Sequence, residues 1–256
     1  MAQGSRIRDR LNAGERLVGG WITMASPIGA EIMGLAGFDM LMIDQEHGPG
    51  DSLTAIQLQQ AIAAGGSTPA FMRVFDSDTQ LIKRALDTGI DGLMVPMVES
   101  AEEASRVVAA CRFPLDGVRG VAPGNVRAAR YGFDKDGFMA ARGGDVFVMC
   151  QVETAATVAN LKDIGKVDGV DMLFIGRNDL ASSIGHLTDP NCPEALELRQ
   201  EAERLIKESG RKLGGIPGPG DDAQAMFDRG YDLVIAIADH AILRDGAVAC
   251  VTSLKG

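Results

Sequence analysis

Short apolar runs of strand length recur along the chain and alternate with stretches of helix-like pattern. Helix-start signals open several of these stretches, including Pro27 at a first helical position and the capping-box spacing of Ser100 and Glu103. Eight strands alternating with eight helices predict an α/β fold, a single (β/α)8 (TIM) barrel over residues 1–256. A doubly wound sheet is the alternative, because a sequence does not show closure. The predicted strands are residues 17–23, 39–44, 69–74, 92–98, 146–152, 172–176, 212–216 and 232–237.

Two connections are longer than the usual loops of such a fold. Residues 113–144 separate the fourth helix from the fifth strand, and residues 185–193 follow the sixth strand. The first connection carries Arg119, Arg127 and Arg130 beside glycines, which favours a loop that faces the substrate. The alternative is an excursion over the solvated surface.

Composition excludes several classes of protein. The formal net charge is −10, whereas a surface that binds nucleic acid needs clustered Lys and Arg. The four cysteines form no Cys-x-x-Cys pair, no apolar run reaches the length of a membrane span, and the N-terminus lacks a signal-peptide core. We therefore expect a cytoplasmic protein that binds neither nucleic acid nor membrane.

Two acidic residues follow neighbouring predicted strands. Glu153 ends the fifth strand, and Asp179 follows the sixth. A strand, a helix and a second strand form a parallel unit, so both carboxylates should emerge at the same rim of the sheet. Hard oxygen ligands suit Mg²⁺ or Mn²⁺, which makes the pair a candidate metal site. The alternative is that each acid only caps the helix after it.

Further polar residues lie at the carboxyl ends of strands, where barrels carry their chemistry. Arg73 ends an apolar strand and could hold a carboxylate, or form an ion pair with a neighbouring strand-end acid. His47 follows the second strand and is the natural group for proton transfer. The turn that leads to Asp179 is also the start of a helix, so the backbone amides of this turn could bind an anion. His186 and His240 lie in less suggestive places.

Five motifs together resemble one family, the metal-dependent class II pyruvate aldolases of the HpcH/HpaI type. They are residues 37–47, 93–104, 118–121, 151–154 and 174–180. The resemblance implies a (β/α)8 barrel that cleaves 4-hydroxy-2-oxo acids to pyruvate or hydroxypyruvate and an aldehyde. It also implies a homo-oligomer, a hexamer built as a trimer of dimers. In that assembly subunits exchange their last helix, and a neighbour contributes to each site.

The resemblance also implies roles for individual residues. Glu153 and Asp179 would bind the divalent metal, which is Mg²⁺, Mn²⁺ or Co²⁺. Arg73 would hold the 2-oxo acid, and His47 would move the proton with Asp87 as its carboxylate partner. Asp44 would stand just outside the metal's ligands, and a loop arginine, Arg127, would contact an acidic acceptor. The remaining residues expected to bind substrate are Gln151, Gly176, Arg177 and Asn178.

The sequence departs from the family pattern near the expected mouth of the site. Arg177 stands where many members have proline, and Gln45 stands where many have glycine. These departures concern the acceptor, whose identity the sequence leaves open. Two other functions remain: an acyl-CoA lyase of the malyl or citryl type, and a non-catalytic anion-binding barrel. No lysine occupies a strand end suited to a Schiff base, which argues against the lysine-dependent aldolases.

Overall fold

The computed structural model describes residues 3–141, 143–218 and 221–255. Eight parallel strands pair in sequence order, and β1 pairs with β8, so the sheet closes into a barrel. The predicted barrel is confirmed, and the open doubly wound sheet is excluded. The extent of one domain over residues 1–256 stays a prediction. The strands are β1 Leu17–Ile22, β2 Met40–Asp44, β3 Ala70–Arg73, β4 Gly92–Val95, β5 Phe147–Val152, β6 Met172–Ile175, β7 Lys212–Gly215 and β8 Leu233–Ala238.

Helices cover the outside of the barrel and one of its ends. Side-chain caps begin several of them; Asp51, for example, accepts a hydrogen bond from the amide of Thr54 at 2.8 Å, as the sequence predicts. The α-helices are α1 Gln3–Asn12, α2 Pro27–Leu35, α3 Ser52–Gly65, α4 Thr79–Asp87, α5 Ala101–Cys111, α6 Lys135–Ala141, α7 Ala155–Ile164, α8 Arg177–Ser182, α9 Pro193–Ser209, α10 Ala223–Asp228 and α11 Asp239–Lys255.

Aromatic and methionine side chains fill the interior of the barrel. Glycines on neighbouring strands make room for two of the rings. A Cβ atom on Gly92 would lie 2.4 Å from the ring of Phe71, and one on Gly214 would lie 2.6 Å from the ring of Phe174. A dry, closely packed interior is the rigid base on which the strand-end residues stand.

The fourth strand ends earlier than the sequence predicts. The predicted run is 92–98, whereas β4 ends at Val95. Met97 has a left-handed backbone with φ of 53°, which takes the chain out of the sheet. Its amide then donates to Oε2 of Glu153 at 3.1 Å. The end of β4 therefore helps to position a predicted metal ligand.

The long connection of residues 113–144 folds against the barrel wall. It contains a short 3₁₀ helix, Arg127–Gly132, and α6. The buried guanidinium of Arg119 stacks 4.9 Å from the ring centroid of Phe113. Arg127 donates through Nη1 to Oε1 of Gln59 at 2.6 Å and to the carbonyl of Thr88 at 2.7 Å. Within one chain, Arg119 and Arg127 hold the connection against the barrel wall. These two arginines therefore do not face the substrate there, whereas the sequence predicts that this loop does.

The last helix lies largely on the surface of the chain. Of the residues in α11, Asp239 is the one that is buried, while Leu243 and Leu254 are 63% and 80% exposed. The neighbouring helix α2 also exposes apolar side chains, such as Ile28 and Leu35. Across the described ranges, none of the helices combines the length and the apolar character needed to cross a bilayer.

Candidate active site

Most of the predicted site residues converge on one cavity at the carboxyl ends of the strands. The cavity has a volume of about 490 Å³. It brings together residues from β1, β2, β3, β5, β6 and β8, with Ile216 just after β7, as expected where parallel strands end at one rim. The predicted residues that line it are Asp44, His47, Arg73, Gln151, Glu153, Gly176, Arg177, Asn178 and Asp179.

Glu153 is held in a fixed orientation directly after β5. Its side chain is buried; Oε1 accepts from Nε2 of Gln151 at 2.6 Å, and Oε2 accepts from the amide of Met97. A Cβ atom on Gly176 would lie only 2.7 Å from Oε1, so glycine leaves the space that the carboxylate occupies. Burial raises the pKa of Glu153 to about 7, with further upward contributions from the negative charges of Glu46 and Asp179.

The donor set around Glu153 fits a divalent cation. Carboxylates of Glu153, Glu46 and Asp179 interact electrostatically, and such crowding of negative charge is relieved by a bound cation. Oε1 of Gln151 is buried and has no hydrogen-bond partner in the described part of the chain. All these donors are oxygens, the type that Mg²⁺ and Mn²⁺ prefer. The assignment of Glu153 and Asp179 as the ligands stays a prediction.

Arg73 is anchored by two acidic residues at the end of β2. Its Nε and Nη2 donate to the two oxygens of Asp44 at 2.9 and 2.7 Å, and Nη1 lies 2.8 Å from Oε2 of Glu46. The guanidinium also stacks over Trp21, 4.6 Å from the ring centroid. The ion pair with a neighbouring strand-end acid is therefore confirmed. Asp44 takes two of the five N–H donors of the guanidinium, so others remain for a substrate.

His47 and Asp87 do not meet within one chain. The side chain of His47 is 70% exposed, and Oε2 of Glu46 lies 4.0 Å from its Nε2. Asp87 ends α4 and lies 3.4 Å from Nη2 of Arg119, outside the lining of the cavity. Arg127 is also outside that lining, because Gln59 and Thr88 hold it against the barrel wall. The predicted pairing of His47 with Asp87 and the contact of Arg127 with an acceptor are thus not formed in a single subunit.

Sequence reasoning missed two acid–base residues, one that contacts a cavity residue and one that lines the cavity. Glu46 was given no role, yet it contacts Arg73, and burial raises its pKa. His240 was considered unsuggestive, yet it lines the cavity. Thr23 donates its hydroxyl proton to Asp239 at 2.7 Å, so its oxygen accepts from Nδ1 of His240 at 2.7 Å. That contact leaves Nε2 of His240 as the acceptor nitrogen. Its position at the end of β8 was the available signal.

Fold and cavity together define a barrel enzyme whose chemistry combines clustered carboxylates with an anchored arginine. Residues 17–240 match the HpcH/HpaI aldolase/citrate lyase family, and the chain belongs to that family. Its members are carbon–carbon lyases that generally require a divalent metal. Enzymatic aldolase activity follows from membership and from full-length relatives that are aldolases.

Three similar proteins span almost the whole chain. A hydroxypyruvate/pyruvate aldolase from Chromohalobacter salexigens is 37% identical and covers 95% of each chain. A 2-dehydro-3,6-dideoxy-6-sulfogluconate aldolase from Pseudomonas putida is 37% identical over 93% of this chain and 92% of its own. The crystal structure of an HpcH/HpaI aldolase/citrate lyase family protein from Burkholderia cenocepacia has a TM-score of 0.92 at 34% identity, covering 98% of this chain and 99% of that one.

Proposed function

We propose that this protein is a divalent-metal-dependent aldolase that reversibly cleaves 4-hydroxy-2-oxo acids to pyruvate or hydroxypyruvate and an aldehyde. The observation that carries the proposal is the buried Glu153 carboxylate in one cavity with Asp179 and the anchored Arg73. Relatives named hydroxypyruvate/pyruvate aldolase and 4-hydroxy-2-oxovalerate aldolase, each 37% identical, support the same donor chemistry.

Glu153 and Asp179 would hold the cation, which is Mg²⁺, Mn²⁺ or Co²⁺. When bound, such a cation supplies Lewis acidity beside the keto oxygen of the substrate. The unused N–H donors of Arg73 are proposed to hold the 2-oxo acid and to stabilise the negative charge that develops as the carbon–carbon bond breaks. Because Asp44 and Glu46 fix the guanidinium, this charge is in place before the reaction starts.

His47 is proposed to move the proton. In cleavage it accepts the proton of the 4-hydroxyl group, directly or through a water, and delivers it to the carbon released by bond cleavage, which becomes the methyl group of pyruvate. In synthesis it removes that methyl proton and passes it to the aldehyde oxygen. Its exposed ring at the mouth suits exchange with solvent. Gln151 at the end of β5 and the backbone of Gly176 and Asn178 after β6 are proposed to orient the keto acid.

We infer a homo-oligomer, a hexamer arranged as a trimer of dimers, in which α11 is exchanged between subunits. The exposed apolar side chains of α11 and α2 support this inference, since such surfaces are usually covered in an assembly. A neighbouring subunit would also supply the contacts that Asp87 and Arg127 do not make within one chain. Light scattering coupled to size-exclusion chromatography measures the mass; a stable monomer would contradict the assembly.

The exchange of pyruvate methyl protons with deuterated water tests the proposed function directly. Exchange should require Mg²⁺, Mn²⁺ or Co²⁺ and should be lost in Asp179→Asn, with Glu208→Gln as a surface control on α9. Full exchange after dialysis against a chelator would refute the metal role. A non-catalytic anion-binding barrel predicts no exchange with any metal. An acyl-CoA lyase predicts turnover of a malyl or citryl thioester in place of an aldol product.

A further inference from the structure

Arg177 is a buried cation for which the described part of the chain supplies no counter-ion. It is the first residue of α8, is only 8% exposed and lines the same cavity as Glu153 and Asp179. Its Nη2 donates to Oδ1 of Asn191 at 2.9 Å, while its Nε is buried and has no hydrogen-bond partner among residues 3–141, 143–218 and 221–255. In the described ranges, no carboxylate lies within ion-pairing distance of its guanidinium.

The charged groups nearest to Arg177 do not neutralise it. Arg199 and Asp221 are the two that act on it electrostatically. Both oxygens of Asp221 are already taken by Arg229, at 2.9 and 2.6 Å. Arg199 carries the same sign as Arg177, and its nearest carboxylate is that of Glu203, at 4.0 Å. This side of the cavity therefore has an unmatched positive charge.

The guanidinium of Arg177 has a fixed place at the cavity wall. A Cβ atom on Gly218 would lie 2.8 Å from its Cζ, so glycine in the segment after β7 leaves the space that the guanidinium fills. The apolar side chains of Ile216 and Ala238 line the same cavity and offer no competing acceptor. Burying an arginine without a carboxylate partner is unfavourable in the empty protein, and a bound anion relieves it.

We propose that Arg177 recognises an acidic group at the far end of the acceptor aldehyde. The preferred acceptor then carries a carboxylate, sulfonate or phosphate remote from its aldehyde carbon. The inference rests on the proposed aldolase function. The donor acid already has the free N–H groups of Arg73 and the cation proposed at Glu153 and Asp179. Arg177 is therefore assigned to the acidic group of the acceptor. Within one chain this assignment does not require the predicted contact of Arg127 with that group.

The test compares two four-carbon acceptors with pyruvate as donor: succinic semialdehyde, which is acidic, and butanal, which is neutral. Wild-type protein should prefer succinic semialdehyde. Arg177→Met should lower kcat/KM for succinic semialdehyde about 10- to 100-fold, mainly through KM, with little change for butanal. Arg177→Lys should keep part of the preference, because it keeps the charge without the planar donor fork. Arg204→Met removes an exposed arginine on α9 and is the control.

Two further measurements separate acceptor recognition from other roles. Pyruvate methyl-proton exchange should be unchanged in Arg177→Met; its loss would assign Arg177 to the donor and overturn the proposal. The midpoint of thermal unfolding should stay equal or rise, because the substitution removes an unpaired buried charge. A fall in that midpoint, with equal losses for both acceptors, would indicate a structural role and overturn the proposal too.

The outcome for wild-type protein separates this inference from the proposed function. Proton exchange without any preference between the two acceptors overturns the acidic subsite and leaves the aldolase intact. Absence of exchange with every metal tested overturns the aldolase, and the subsite with it.

Discussion

The raised pKa of Glu153 predicts how the stability of the metal-free protein depends on pH. The carboxyl group is buried, and its pKa is raised from an ordinary value near 4.5 to about 7. Below pH 4.5 the group is protonated in both the folded and the unfolded chain, so it adds no penalty. As the pH rises through 7, the unfolded chain is already ionised, and the folded chain must ionise a buried carboxylate. The contribution of Glu153 to the free energy of unfolding is therefore fully present at low pH and is lost between pH 4.5 and 7.

The size of the loss follows from the shift. One pKa unit corresponds to about 1.4 kcal/mol, so Glu153 should lower the free energy of unfolding by about 3 kcal/mol between pH 4.5 and pH 8. Glutamine at this position cannot ionise, so the Glu153→Gln variant should lack this pH-dependent loss of stability, whatever its free energy of unfolding at any one pH. Glu208→Gln removes an exposed carboxylate on α9 and should keep the wild-type pH dependence.

Urea unfolding with a chelator, followed by circular dichroism between pH 5 and 8, measures this component. For each protein, the measured quantity is the change in the free energy of unfolding between pH 5 and 8. The value for Glu153→Gln is subtracted from the value for the wild type. Parallel curves for the two proteins would refute the reasoning. Added Mn²⁺ should reverse the loss at pH 8, because a cation favours the ionised carboxylate and stabilises the folded state that binds it.

Three other predictions concern the same cavity and the surface. Arg73→Lys should lose about tenfold more pyruvate proton-exchange activity than His47→Gln, because lysine cannot reproduce the paired contacts to Asp44; equal, mild losses would remove both from the site. Gly176→Ala should weaken Mn²⁺ binding about tenfold in calorimetry, since its Cβ would displace Glu153; unchanged affinity would contradict this. Leu243→Asp should reduce the mass measured by light scattering; an unchanged mass would exclude α11 from the interface.

The sequence predicts the position of the cavity because a parallel barrel makes strand ends converge. Glu153 directly follows an apolar run, Arg73 ends one, and Asp179 comes four residues after another. The order of the strands therefore places all three at the same rim of the barrel. The alternation of runs and caps likewise predicted the barrel. Closure itself required the pairing of β1 with β8, a contact between the two ends of the chain.

Side-chain partners could not be predicted in the same way. Asp87 lies on a helix near the long connection, and its ion pair with Arg119 depends on how that connection folds back. Arg127 is committed to Gln59 and Thr88 for the same reason. The early end of β4 depends on one left-handed residue, Met97, a type that seldom adopts that backbone. Such contacts between distant segments leave no local periodic pattern.

Met97 also bears on how this protein can change over evolution. Its main-chain amide, not its side chain, restrains Glu153, and the side chain is 52% exposed. Replacement by any residue that tolerates the left-handed backbone, glycine or asparagine above all, preserves that restraint. The rim at this position can therefore exchange an apolar side chain for a small or polar one, while the carboxylate beneath it keeps its orientation.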